Sequence, residues 1–414
     1  MALTWCFIRF SIGWGDLPDA RGGVFVSGDG MGYDAARIEV LEGPEAVRER
    51  PGMWVGSTKE RGLHQLVFMV MGQAVNEVLA TGTGSVDVTL TSDGGVRVAD
   101  DGPGAGFEAP ATGDTGGPGL EALLTSLAAG SEPSGRHTVV VGDLGMGLFV
   151  ANALSSRLTA EVRHEGVRRT QEYARGVALA PPCAVGPAPG SGTTIAFWPD
   201  AEIFETTCCS FAVLAERFRQ VAFLNRGLGI SLTDERPTGG ARTVRFRFPG
   251  GVRDFAAALD AEAGARLHPD IVSFGREDPR MAGTMEVALC WTGSREERVR
   301  GFANSRATDQ GGMHVDGFRD GMAAAVTAYA RKRELLSARD PDPVADRIGE
   351  GLTAIVSVKL DRPEFLGATR GLLGNAEVRA CVSEAVREHL GGWFEENPER
   401  AARVVERIVR DTRD

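Results

Sequence analysis

The sequence predicts an α+β protein, an α/β sandwich followed by a second mixed unit, and three observations carry that prediction. Between residues 62 and 79, Leu63, Leu66, Val67, Val70, Met71, Ala74, Val75 and Val78 recur at helical spacing and define one apolar face. Residues 85–91 and 95–99 alternate around Ser92-Asp93-Gly94, the pattern of a hairpin, with Asp100 at its exit. Near residue 248 the pattern changes at Pro249-Gly250-Gly251, and strand-like runs around a long helical stretch follow.

The remaining elements follow in order. Residues 1–30 hold a short apolar stretch broken by Arg9 and Asp16, so they form no membrane span, and Met1-Ala2-Leu3-Thr4 lacks the basic start of a secretion signal. Residues 106–118 are rich in Gly, Pro, Ala and Thr and predict a loop, with a short helix over 120–127. A helix over 148–154, strands over 158–163, 168–173 and 193–197, and a helix over 211–224 complete the first unit. The second unit reads as strands over 285–291 and 298–303, a long helix over 312–335, a strand over 352–359, and helical segments over 376–390 and 399–409.

A chain of 414 residues, 43% hydrophobic, has room for two or three domains with sizeable cores. Its six cysteines, among them the adjacent Cys208 and Cys209, show no CxxC or zinc-ligand spacing, which fits thiols in a reducing cytosol and a cytoplasmic protein. A net charge of −11 excludes a protein whose whole surface grips a phosphate backbone, since that needs clustered excess cations. Lysine stands only at Lys59, Lys332 and Lys359, so arginine carries the positive charge.

Several long, ordered motifs point to a family. They are Ile38-Glu39-Val40-Leu41-Glu42-Gly43, the run Glu45 to Gly56 with Arg50-Pro51-Gly52-Met53-Trp54, and Arg61-Gly62-Leu63-His64-Gln65-Leu66. Further along stand Asp100-Asp101-Gly102 with Gly104, Asn152-Ala153-Leu154-Ser155, Gly192-Thr193, Phe197-Trp198-Pro199 and Glu350-Gly351-Leu352-Thr353-Ala354-Ile355. Together they resemble the ATPase subunit of DNA gyrase and topoisomerase IV, a branch of the GHKL ATPases. The resemblance implies a two-layer Bergerat-type sandwich over residues 31–247 and a transducer domain with a βαβ core over 248–414. It leaves residues 1–30 as an unmatched extension, either a disordered one or, given Met31, a mis-called start. It also implies that the Toprim domain and the C-terminal tail of such subunits are missing from this sequence.

By that resemblance the cofactors are ATP and Mg2+, and the residues at the expected positions are largely changed. Hydrolysis in the family needs a carboxylate to deprotonate water and an oxygen ligand for magnesium one turn later. Here those positions hold Met69 and Gln73, so neither a base nor a well-placed metal ligand is expected, and the Mg2+ site should be weak or lost. Gly72 and Asn76 each replace an Asp of the family, while Glu77 persists. Removing a positioned base typically lowers the rate roughly 10²- to 10⁴-fold. As a purely structural residue, Met69 would simply fill core.

The base-binding positions are kept: Asp100 stands where the family accepts a hydrogen bond from the adenine amino group, and Thr193 where a hydroxyl supports the same ring. Pro103 precedes Gly104 where the family has arginine, and His164 replaces a second arginine that also meets aminocoumarin inhibitors. In the phosphate turn Gly142, Gly145 and Gly147 remain, whereas Val141 replaces a glycine, Leu144 the motif's histidine, and Asp143 adds a repelling charge. In the lid region, 130–147, Ser131, His137 and Thr138 stand where relatives offer Lys, Tyr and Lys. Arg370, in Ala368-Thr369-Arg370, takes the place of the transducer lysine that reaches the γ-phosphate. Tyr33 matches the tyrosine of the dimer arm, which implies a homodimer.

Three functions are compatible with these residues. The first is a nucleotide-binding module impaired in hydrolysis, a regulatory or decoy paralogue with gyrase or topoisomerase IV subunits, or itself, as partner. The second is a working ATPase subunit of a type II DNA topoisomerase, with Glu77 or a water-bridged Asp101 as substitute base. The third is a binding module for a non-nucleotide ligand such as an antibiotic. Weak DNA binding would fall to Arg295, Arg298, Arg300, Arg306, Arg319, Arg331, Lys332 and Arg333, although interspersed acids make a solvated mixed-charge face the plainer reading.

Overall fold

The structure is a computed structural model that describes residues 7–9, 39–41, 43–104, 106–108, 119–127, 129, 135, 138–142, 147–236, 240–261, 267–337, 340–343, 345–367 and 369–410. Near its start, Phe7–Arg9 pairs antiparallel with Glu39–Leu41. The apolar stripe of residues 62–79 becomes the helix Glu60–Ala80, whose Leu63, Leu66, Val67, Met71, Val75 and Val78 are buried. They lie in one core with alternate residues of a nine-stranded sheet, such as Val86, Val88, Val98, Ile195 and Phe197. The expected hairpin is present as Gly84–Leu90 and Val96–Asp100, with Val86 opposite Asp100.

Around that hairpin the strand order is Arg242–Phe246, Leu228–Asp234, Gly84–Leu90, Val96–Asp100, Gly192–Pro199, Ser155–His164, Val167–Ala174 and Val177–Ala178, with Cys183–Pro187 also on Val167–Ala174. All these pairings are antiparallel except that of Leu228–Asp234 with Gly84–Leu90. The helices Gly147–Ala153 and Phe211–Leu224 add Leu148, Phe149, Leu214, Phe218 and Val221 to the same core. Ser210 caps the second of them, accepting from Val213 N at 3.4 Å.

The second half builds a five-stranded sheet in the order Val272–Asp278, Gly283–Trp291, Leu352–Leu360, Arg298–Ala303, Arg306–Ala307. Arg298–Ala303 runs parallel to Leu352–Leu360, and the helix Met313–Lys332 lies between them in sequence, which is the βαβ unit. Ala376–Glu396 and Pro398–Arg410 pack beside that helix, the former running past the 376–390 span that periodicity predicts. No helix among the described residues is long and apolar enough to cross a membrane.

A third apolar cluster joins the halves. Phe223 stacks on Phe248 at 3.6 Å between ring centroids and on Phe255 at 4.7 Å, and Phe255 tilts against Phe302 at 5.7 Å. Ala288 and Ile355 of the five-stranded sheet complete the cluster. Phe255 comes from Val252–Asp260, an amphipathic helix that follows the Pro249-Gly250-Gly251 turn. Beside the cluster, Lys359 donates to Asn225 Oδ1 at 3.1 Å and Arg226 pairs with Glu286 at 3.0 Å.

Candidate functional site

Asp100 ends its strand buried, 4% exposed, with its carboxylate turned back on the chain. Oδ1 accepts from Gly102 N at 3.0 Å and from Thr193 N at 3.1 Å. Burial pushes its carboxyl up to about 6; those two hydrogen bonds oppose the shift, and the nearby Glu77 and Asp101 charges reinforce it. The Asp100 carbonyl accepts from Arg163 Nη2 at 3.3 Å. Gly192 makes this approach possible, because at φ 137° a Cβ there would stand 2.1 Å from that carbonyl oxygen.

Next to Asp100, the hydroxyl of Thr193 is buried and without a partner. Asp100, Thr193, Gln73 and Glu77 put polar groups on a narrow pocket whose other walls are Val70, Ala74, Val98, Leu120 and Ile195. A flat ring with one exocyclic amino group suits such a place: apolar faces, an acceptor carboxylate and a hydroxyl still to be satisfied. These polar groups match the amino edge of an adenine in kind.

The hydrolytic positions have a different character. Met69 is 7% exposed and belongs to the same apolar cluster as Phe68, Val139 and Val141. One turn on, Gln73 Nε2 donates to Glu77 Oε1 at 2.9 Å, an i, i+4 pair along its own helix. Burial raises the Glu77 carboxyl and the Gln73 bond lowers it, with burial prevailing. Glu77 lies beside the Asp100 turn, since a Cβ on Gly102 would meet Glu77 Cβ at 3.3 Å and Asp100 Oδ1 at 3.0 Å. Asp101 is exposed and tied to Ser85, accepting from its N and Oγ at 2.7 Å each. Among the described residues no group of three or more His, Cys, Asp or Glu is placed to hold a metal ion. Met69 offers no oxygen and Gln73 only an amide oxygen, a donor set that suits Mg2+ poorly.

The glycines divide. Gly104 adopts φ 76°, and a Cβ there would sit 2.5 Å from Arg163 O, so the turn after Asp100 needs it. Pro103 O faces His164 Nδ1 at 3.0 Å, and His164 is exposed. Gly142 is buried against Gln65 and Phe68, and Gly147, at φ 75°, opens the helix Gly147–Ala153. Gly145 lies outside the described residues with Asp143 and Leu144, as do Ser131, His137 and Tyr33. Thr138 donates its N–H to Gly135 O at 2.9 Å.

Arg370 is not brought to the cavity. It sits exposed at φ 51° in a turn closed by its N–H to Gly367 O at 3.1 Å. That loop is held by Arg306 Nη2 on Thr369 O at 3.0 Å and by Gln310 Nε2 on Thr369 Oγ1 at 2.9 Å. Of the arginine cluster, Arg298, Arg319, Arg331 and Lys332 pair with Glu296, Glu297, Asp342 and Glu395. That is a mixed-charge face. Sequence reasoning missed Arg217 and Asn304, which tie residues 138–142 to the second half; no local spacing marks either one.

A family described as DNA gyrase B matches residues 251–414. The DNA gyrase B protein of Streptomyces coelicolor is 43% identical over 393 residues, covering 91% of this chain and 57% of that protein. A novobiocin-resistant DNA gyrase B protein of Streptomyces niveus is 42% identical, with 91% and 58% covered. The chain thus spans under two thirds of the curated relatives it matches. Among solved structures, the 43K ATPase domain of Thermus thermophilus gyrase B, in complex with an aminocoumarin, aligns with TM-score 0.75 and 33% identity over 89% of this chain and 94% of that one. The topoisomerase IV ATP-binding domain of Francisella tularensis aligns with TM-score 0.73 and 27% identity over 90% and 97%. With a Bergerat-type sandwich and a βαβ unit behind it, this chain belongs to the gyrase B and topoisomerase IV ATPase family.

Proposed function

We propose that this chain is a gyrase-B-type ATPase–transducer module, residues 31–247 and 248–414, that keeps the adenine end of its pocket and has lost efficient hydrolysis. It then acts as a regulatory or decoy paralogue, pairing with a second copy or with gyrase or topoisomerase IV subunits. The single observation behind this reading is Met69, a thioether packed in core where a water-activating carboxylate is needed.

In this reading Asp100 and Thr193 would hold the base: the carboxylate accepts the amino proton and the unpartnered hydroxyl completes the ring's edge. A carboxyl near 6 is mostly ionised at neutral pH, as an acceptor must be. A bound nucleotide supplies an amino group and phosphates. No step is assigned to magnesium.

Calorimetry with ATP, with and without magnesium, and a turnover assay test the reading together. Expected is measurable affinity that magnesium changes little, and turnover roughly 10²- to 10⁴-fold below that of active family members. Turnover at the active level would end it. One observation favours a second reading, a working ATPase: Glu77 is a carboxylate with a raised pKa on the cavity wall. If Glu77→Gln abolished a real turnover, that reading would replace the first.

A further inference from the structure

Residues 138–142 cross the molecule between the Glu60–Ala80 helix and the five-stranded sheet. On the helix side Val139 N–H donates to Asn76 Oδ1 at 2.7 Å, and Val139 O accepts from Asn76 Nδ2 at 3.4 Å, a two-way amide clamp. On the sheet side Val140 N–H donates to Asn304 O at 2.9 Å. Arg217, from the Phe211–Leu224 helix, joins the two sides. Its Nε donates to Val141 O at 2.8 Å, and its Nη2 to Val140 O at 3.1 Å and to Ser305 O at 3.2 Å. One rigid guanidinium fork thus binds backbone carbonyls from two segments far apart in sequence.

The acceptor turn is itself fixed. Asn304 and Ser305 are buried and left-handed, at φ 48° and 65°, a conformation that non-glycine residues keep only where their surroundings impose it. Asn304 Nδ2 donates to Leu360 O at 3.0 Å and its Oδ1 accepts from Leu360 N at 2.9 Å, while Ser305 Oγ accepts from Asn225 Nδ2 at 3.0 Å. The turn is anchored from both halves.

The apolar contacts agree. Val139 and Val141 are buried in the core that holds Met69 and Phe68, and a Cβ on Gly72 would lie 3.7 Å from Val141 Cγ2. By the family resemblance, position 72 is elsewhere Asp and position 141 Gly. An Asp at 72 would press a carboxylate on Val141 in an apolar setting, and a Gly at 141 would leave a void above Gly72. The two replacements suit each other.

We propose that residues 138–142 form a self-held strap, docked on the Glu60–Ala80 helix and tied to the five-stranded sheet through Arg217 whether or not a nucleotide is present. Every contact that holds it is made by this chain's own atoms. The strap requires neither nucleotide binding nor its loss, so it stands apart from the function proposed above.

Hydrogen–deuterium exchange of the full nucleotide-free chain tests it at the Val139 and Val140 amides. These should exchange slowly, and Arg217→Ala should accelerate them roughly ten- to a hundredfold. Arg217→Lys keeps the charge but cannot span three carbonyls, so it should accelerate them too, while amides within Phe211–Leu224 stay protected and certify the fold. Gly72→Asp should loosen the strap, and Gly72→Asp with Val141→Gly should restore much of the protection. Strap amides that exchange at free-peptide rates in the unaltered chain would overturn the proposal. So would protection that neither Arg217 variant changes.

Discussion

The base end is a pocket with a buried carboxylate and an unsatisfied hydroxyl; the strap end, outside that pocket's lining, is apolar core that holds Met69, Val139 and Val141. The helix Glu60–Ala80 borders both, with Glu77 beside the first and Met69 in the second, about two turns apart. One helix can thus border a polar and an apolar region, because the character of each depends on side chains and not on the backbone path. The polar end tolerates the cost of burying Asp100 since two backbone N–H groups hold it. The strap end has no such donors on Met69, and apolar packing fills the place.

The largest expected effect comes from forcing the strap end back toward polarity. Met69→Glu buries an unpaired carboxylate and should destabilise the fold by about 3 kcal/mol or more, read as a lower urea midpoint, with ATP turnover still at background. A stable Met69→Glu chain that hydrolyses ATP would erase the contrast between the two ends.

A pH series sharpens the contrast from the other side. Asp100 is raised from 3.8 to about 6 in the folded chain, and Glu77 is raised too. A folded carboxyl with a raised pKa favours folding while it is protonated, so this contribution is full below about pH 4 and disappears as pH rises through 6. The loss for Asp100 is about 3 kcal/mol at neutral pH. Asp100→Asn keeps the acceptor for Gly102 and Thr193 but cannot ionise. Its stability, by urea denaturation, should fall less than that of the unaltered chain between pH 4 and 7. Parallel curves would mean that Asp100 is solvated, and the base end would lose its claim to be a dry, preformed site.

The smallest effect is the most discriminating. Thr193→Val deletes a buried hydroxyl that has no partner, so the free protein should be unchanged or gain up to about 1 kcal/mol. Calorimetry should meanwhile show adenine-nucleotide affinity reduced roughly five- to tenfold. A variant that loses stability and keeps its affinity would place the hydroxyl in the scaffold and not in recognition.

Much of this was legible in residues. The hairpin, the helix Phe211–Leu224 and the strand Arg298–Ala303 follow from local periodicity, and that position 69 carries no ionisable group is plain from the residue type. Partners distant in the chain are another matter. Leu228–Asp234 carries a clear alternation in Leu228, Ile230 and Leu232, yet nothing local specifies its parallel pairing with Gly84–Leu90. The helix Val252–Asp260 begins straight after a Pro-Gly-Gly turn that reads as a boundary. Arg217 resembles any surface arginine until the carbonyls of Val140, Val141 and Ser305 are seen around it. The size exchange between Gly72 and Val141 is likewise visible only when the strap lies on the helix.

The phenylalanine column of Phe248, Phe223, Phe255 and Phe302 runs from the Phe211–Leu224 helix to the five-stranded sheet with rings as close as 3.6 Å. Packed rings resist shear, because sliding one past the next means first prising them apart. Any motion of one half against the other would have to open these ring contacts first, so the column is where the two halves are most directly tied.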